Sequence, residues 1–174
     1  MRAVTVTYLF LDTEWADLEG RELVSLALVS QDGEAVFYAE RDPLPVNPTG
    51  FVKDSVYPLL DRGSVALCDA EFTGELRKFL CGVQAPHVLY DYPNDGALLL
   101  LAISGFRLLP SELSDLPAPP RHLKSSLLAD AALSAALEEY FLAQPSEATK
   151  RHHALVDAKA LRAAWVATQA NSNQ

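Results

Sequence analysis

The sequence predicts an α/β domain in which a mixed central sheet is flanked by helices. Three observations carry that expectation. The first 40 residues hold three apolar, β-branched runs joined by tight turn signals. A short apolar run near residue 88 is followed directly by a helical pattern, as in a strand feeding a packed helix. The last 50 residues carry two longer amphipathic helical patterns. The order β-β-β-α-β-α-(β)-α-α places an antiparallel three-strand meander beside parallel strands.

Residues 4–11 (VTVTYLFL) are apolar on both parities, which suits a buried central strand. They end in Asp12-Thr13-Glu14-Trp15, with a polar turn at residues 17–20. Residues 22–30 form the second strand. Gln31-Asp32-Gly33 signals a hairpin, and residues 35–39 form the third strand. Residues 43–58 contain four prolines and one glycine, so a loop with one helical turn is expected. Asp69 is placed to cap a helix over 70–81, with Phe72, Leu76, Phe79 and Leu80 on one face. Residues 87–90 read as a strand, 95–103 as a helix and 106–109 as a further strand. Residues 111–120 form a second Pro-rich loop, and helices are expected over 126–142 and 151–168.

A chain of 174 residues, 49% hydrophobic and 21% charged, fits one domain over residues 1–169 and excludes wholesale disorder. The polar tail 170–174 is expected to fray. No apolar stretch reaches the roughly 18–20 residues of a membrane span, and no secretory leader pattern is present, so a soluble, cytoplasmic protein with no membrane partner is expected. Cys68 and Cys81 lack metal-type spacing and are expected to be reduced thiols. With 23 acidic and 14 basic residues, the net charge of −9 argues against a general nucleic-acid coat. It leaves room for a nucleic-acid enzyme whose bound cations supply the positive charge.

Three acidic placements stand out. Asp12 and Glu14 share one face at the end of a central strand. Two adjacent carboxylates repel, and burial penalises them further, so a bound cation is one way to keep both ionised; a solvated strand end is the other reading. Asp95 opens an apolar helix, where it serves equally as a first-turn acid, and Asp91 stands at the preceding strand end. His152 and Asp157 are five positions apart, about 140° beyond a full turn of helix. His152 therefore belongs before the helix, folded back towards Asp157, whereas His153 would stack on Asp157 at i,i+4. A surface His–Asp pair is the plain alternative.

Taken in order, Asp12-Thr13-Glu14, Asp95 in DGALL, and His152 with Asp157 in HHALVDAKAL resemble the DEDDh branch of the RNase T/DnaQ-like 3′–5′ exonucleases. The likeness extends over residues 4–165 and is nearest to the small exoribonuclease-like members. It implies a ribonuclease H-like fold and two Mg²⁺ or Mn²⁺ ions per active site, held by Asp12, Glu14, Asp95 and Asp157. Four carboxylates with no cysteine suit such hard cations. By the same resemblance His152 is the general base, and His153 is its solvent-side neighbour. Trp15 and Thr13 are expected to contact the terminal nucleotide. One departure is that Asp91 stands where many relatives have Asn, so Asp91 is either a substrate contact or the middle ligand in place of Asp95. The implied substrate is a single-stranded RNA (or DNA) 3′ end, hydrolysed to nucleoside 5′-monophosphates, with RNA preferred. A DNA exonuclease of proofreading type and a non-catalytic nucleic-acid-interaction domain are the alternatives. Arg107, Arg121, Lys124, Lys150 and Arg151 are candidate phosphate contacts, and a homodimer is expected, because a partner's bases would offset the chain's own acidity.

Overall fold

The computed structural model describes residues 5–172. Its organising element is β1 (Thr7–Trp15), which lies inside a six-stranded sheet. β1 pairs antiparallel with β2 (Leu23–Ser30), and β2 with β3 (Val36–Arg41), giving the expected meander. β4 (Ala66–Leu67) adds a short parallel edge beside β3. On the other side β5 (Pro86–Tyr90) runs parallel to β1, and β6 (Lys124–Leu127) parallel to β5. The strand order is β4-β3-β2-β1-β5-β6.

Both faces of the sheet are covered. Alternation sends Leu9 and Leu11 of β1 to one face, where Leu26, Leu28, Phe72, Leu76, Leu98 and Leu99 join them. That face is closed by α1 (Asp69–Gly82) and α2 (Pro93–Ser104). Phe10 points the other way, against Leu89, Leu133, Leu161 and Ala164. This second face is closed by α4 (Ala131–Ala143) and α6 (Ala154–Ser172), with the short helices α3 (Pro110–Ser114) and α5 (Pro145–Ala148) in the connections. All eight residues of β2 are buried, as a strand packed on both faces requires. Each fully buried Leu or Phe contributes about 1.5–3 kcal/mol over leaving it exposed.

The structure departs from the sequence reading at several elements. β1 continues through Asp12–Trp15 because those residues keep the ladder with β2, with Asp12 opposite Ala27 and Glu14 opposite Ser25. Residues 106–109 form no strand. Gly105 and Phe106 both adopt left-handed backbone, at φ 98° and 53°, and turn the chain off the sheet. The segment expected as one helix over 126–142 is split. Lys124–Leu127 is an edge strand, and Asp130 caps the helix that follows by accepting the Ala132 N–H at 2.8 Å. Asp69 is not a cap, because Arg41 grips its carboxylate through Nε and Nη2 at 2.8 and 3.0 Å. Cys68 precedes the helix instead, its N–H donating to Glu71. The last helix runs on to Ser172, into the stretch expected to fray, while residues 173 and 174 lie outside the described residues. Both cysteines are free and exposed, as expected. Among the described residues no helix is long and apolar enough to cross a membrane.

One close approach sets how near the first turns of α2 lie to the end of β5. A Cβ at Gly96 would lie 2.6 Å from Cζ and the hydroxyl of Tyr90, the last residue of β5. Gly96→Ala should therefore destabilise the fold by about 1–3 kcal/mol, the usual cost of overpacking. Thermal unfolding should show a midpoint several degrees lower, and an unchanged midpoint would mean that the Tyr90 ring yields freely.

Candidate active site

The end of β1 opens into a cleft of about 340 Å³ lined by Asp12, Glu14, Trp15, Asp91, Tyr92, Asp95, His152 and Asp157 among others. Strand alternation turns Asp12 and Glu14 towards the face covered by α6 and Thr13 towards α2. Thr13 uses that position: its hydroxyl donates to Asp95 Oδ1 at 2.6 Å. Asp95 sits in the first turn of α2 and is 1% exposed. Asp91 follows β5 at the rim of the cleft, an exposed residue whose carboxylate is turned inward beside Asp12 and Asp95. Asp157 comes from the first turn of α6. His152 precedes that helix in a left-handed turn, at φ 73°, and its backbone N–H donates to Asp157 Oδ2 at 2.8 Å. It thus folds back onto Asp157, as the five-residue spacing predicts.

These side chains form two triads. Ligand atoms of Asp12, Asp91 and Asp95 lie within 4.8 Å of one another, and so do those of Glu14, His152 and Asp157. Asp91 and Asp95 both reach Asp12; they differ in that one oxygen of Asp95 is already held by Thr13. Burial pushes all five carboxyls upward, and repulsion between neighbours adds to it at Asp12, Glu14, Asp95 and Asp157. Desolvation, then Asp95, Glu14, Asp157 and Asp91, raise Asp12 well above the carboxylate range. Burial, with Asp157 and Asp95, lifts Glu14 to about 8. Burial lifts Asp95 to about 7 and Asp157 to about 6, and Asp91 is also raised by burial. Asp157 Oδ1 is buried with no hydrogen-bond partner. A crowded, all-oxygen carboxylate set with an orphaned oxygen fits a hard divalent cation, and these residues could hold one.

The His152 ring meets Phe51 edge-on, with centroids 4.9 Å apart and planes at 88°. Burial, followed by the Arg151 charge, lowers its pKa below the ordinary value of 6.5. Trp15 stacks on Tyr92 at 5.4 Å beside the carboxylates. His153 departs from its expected solvent-side place. It is 7% exposed, stacks on Tyr38 at 4.7 Å and puts Nε2 3.6 Å from Asp61, away from Asp157. Sequence reasoning did not find Phe51, Tyr92 or Phe141. An aromatic beside Gly50 in the Pro-rich loop, and Tyr92 between Asp91 and a proline, were the available signals. Among the expected bases, Arg151 lines the cleft but is tied to Glu138 through both Nη atoms, at 3.0 and 2.6 Å. Arg107 is exposed and pairs with Glu22.

No protein-family model matches the chain, and no curated protein matches it. Among solved structures it is similar to exonuclease I, described in a study of how that enzyme achieves processivity. The TM-score is 0.61 at 15% sequence identity, over 97% of this chain and 41% of the other. The chain thus spans less than half the length of that neighbour. At that identity the likeness is one of fold, and the fold is ribonuclease H-like.

The raised carboxyl values set a sign for stability. Folded, cation-free protein keeps protons on Glu14, Asp95 and Asp157 that the unfolded chain releases near pH 4. That contribution is present in full below pH 4 and is lost as pH rises through about 6–8. In chelator, the melting temperature should therefore fall between pH 5 and pH 8.5, and Glu14→Gln should flatten the fall. Comparing the two proteins cancels the opposing contribution of His152. Parallel curves for wild type and variant would contradict the upward shift that burial and the neighbouring carboxylates give Glu14.

Proposed function

We propose that this chain is a metal-dependent 3′–5′ exonuclease that removes nucleoside 5′-monophosphates from single-stranded 3′ ends, with RNA as the preferred polymer. The observation that carries the proposal is the convergence of Asp12, Glu14, Asp95 and Asp157 with His152 in one cleft, although they come from β1, α2 and the start of α6. The exonuclease-like fold and the sequence resemblance support it; the preference for RNA rests on the resemblance alone.

In this reading Asp12, Glu14, Asp95 and Asp157 hold two Mg²⁺ or Mn²⁺ ions, with Asp91 beside Asp95 as substrate contact or alternative ligand. Such cations supply positive charge against the phosphodiester and its developing oxyanions. The protein's own part begins at His152, whose neutral ring takes a proton from the attacking water. The water oxygen then bonds to phosphorus, and the bond to the 3′-oxygen of the penultimate nucleotide breaks. That oxygen leaves with the bonding electron pair and takes a proton from solvent water to become the new 3′-hydroxyl of the shortened strand, while His152 returns its own proton to solvent. The lowered pKa keeps His152 neutral at a lower pH than free imidazole. Trp15, stacked on Tyr92, offers an apolar face to the terminal base, a contact worth about 1–3 kcal/mol. Thr13 lines the same cleft, and its hydroxyl, which donates to Asp95, holds that carboxylate in place beside the terminal nucleotide.

A 5′-labelled single-stranded RNA with Mg²⁺ or Mn²⁺ should give a ladder shortening from the 3′ end, together with free 5′-monophosphates. A matched DNA strand should be cut more slowly, and no cleavage of either polymer would refute the proposal. Asp12→Ala should abolish cleavage with a melting temperature unchanged or raised, because one repelling carboxylate is gone.

His152→Ala should lower turnover about 10²–10⁴-fold while leaving Mn²⁺ affinity nearly unchanged. The wild-type rate should rise with pH along a limb centred below the ordinary imidazole value of about 6.5. Loss of that limb in His152→Ala is the check; a limb that persists assigns the base elsewhere.

We also infer a homodimer, in which a partner's bases serve a cleft whose own Arg151 is engaged by Glu138. Light scattering at micromolar concentration should give twice the chain mass, and a fully active monomer would refute it.

A further inference from the structure

His153 does not line the cleft, yet it stands between its two most exacting features. The preceding residue, His152, is held in a left-handed turn. The His153 carbonyl accepts the N–H groups of Val156 and Asp157, at 2.8 and 3.1 Å, and so starts the helix that carries Asp157. The ring itself is fixed from two sides. It lies on Tyr38 of β3, with planes 27° apart, and Nε2 faces the Asp61 carboxylate. Tyr38 is in turn locked, its hydroxyl donating to the fully buried Glu40 at 2.6 Å. Glu40 also accepts the N–H groups of Asp61 and Arg62, which ties the 61–62 segment to the same strand.

The cluster of Glu40, Asp61 and His153 looks like a cation site by distance alone. Its chemistry argues otherwise, because Arg62 Nη1 already sits 3.3 Å from Glu40, and Tyr38, Asp61 and Arg62 donate to both Glu40 oxygens. The His153 ring makes no hydrogen bond through Nδ1, which is buried and unpartnered. Nε2 approaches Asp61 only at 3.6 Å, beyond hydrogen-bond range, so the ring's main contribution is its flat shape against Tyr38. The same Pro-rich connection that brings Asp61 to His153 also brings Phe51 to His152, and it is anchored next to Trp15 by the Thr49 N–H donating to Ala16 at 2.8 Å.

We propose that His153 is a positioning residue, whose ring, stacked on Tyr38, fixes the turn that aims His152 and Asp157 into the cleft. The proposal rests on the exonuclease reading for its catalytic consequence but not for its structural one. Three proteins decide it: His153→Ala, His153→Phe, which keeps a flat ring, and Tyr38→Leu, which removes the surface beneath it. Hydrogen exchange of the His152 amide, bonded to Asp157, is measured in chelator and needs neither metal nor substrate. It should quicken at least about tenfold in His153→Ala and Tyr38→Leu and return to within twofold of wild type in His153→Phe. Calorimetric Mn²⁺ titration should show about a fivefold weaker affinity in the same two variants, and kcat should fall about tenfold with KM unchanged. If His153→Ala does not fold, Tyr38→Leu and His153→Phe carry the same contrast. An unchanged His152 amide in the variants overturns the proposal, as does a Phe variant as impaired as the Ala variant, which would assign the role to a ring nitrogen. A wild-type protein that binds no Mn²⁺ and cuts no nucleic acid would instead refute the function proposed above and leave the exchange result to be judged by itself.

Discussion

Five carboxylates repel one another at the end of a single strand, and much of the surrounding architecture exists to hold them there. Asp12 feels Glu14, Asp91, Asp95 and Asp157 at once, in a crevice where water cannot screen the charges fully. Left alone, such a group relaxes by taking up protons or by moving apart. Burial and the neighbouring charges push Glu14 up to about 8 and burial pushes Asp95 to about 7, so the cation-free site favours protons. Moving apart is blocked. β1 is pinned between β2 and β5, Asp95 is pinned by Thr13, and Asp157 is pinned by the His152 amide. Stability lost at the end of β1 is offset by burial elsewhere along the same strand, where Leu9, Phe10 and Leu11 are inaccessible to solvent. A site that is costly when empty favours any cation that fills it, and this links the electrostatics to the proposed chemistry.

The topology turns this constraint into a directional site. A strand with helices on both faces can send alternate side chains to different partners. Asp12 and Glu14 go to α6, and Thr13 goes to α2. One strand therefore addresses two helices on opposite faces of the sheet, and each helix returns a carboxylate to its end. The parallel pairing of β5 with β1 is equally necessary, because it ends β5 beside Asp12 and starts α2 there. Gly96 then lets the first turn of α2 pass close over Tyr90.

How much of this was legible follows from how local each signal is. The period-2 placement of Asp12 and Glu14, and the five-residue offset of His152 from Asp157, are properties of short segments, and the expected convergence appears in the fold. The meander was legible because its turns are marked by Asp and Gly. β6 was not, because a polar Lys-Ser-Ser-Leu edge strand has no pattern of its own and exists only by pairing with β5. The ends of α2 were blurred for a related reason: two successive left-handed residues, only one of them glycine, turn the chain away. His153 was misplaced on the solvent side because nothing near it in sequence marks the aromatic surface of Tyr38 that buries it, which lies more than 100 residues away. Phe51 was invisible for the same reason, since its partner His152 is equally remote.

The charge balance bears on how an acidic chain could accept a polyanion at all. Arg151 lines the cleft, but Glu138 holds it, and its guanidinium also lies over Phe141 at 4.5 Å. It acts on the site mainly as a fixed charge that lowers the pKa of His152 and opposes the rise of Asp157. Apart from any bases a partner subunit supplies in the proposed homodimer, attraction for phosphate would then come from charge that arrives with the ligands. Cations held by the carboxylates would reverse the local potential over the few ångströms where a scissile phosphate sits, while the rest of the surface stays negative. Contacts beyond that point would, on the proposed reading, fall to stacking on the Trp15–Tyr92 pair, and stacking is insensitive to net charge. On the proposed reading, such an arrangement engages a strand at its terminus and has little hold on its length.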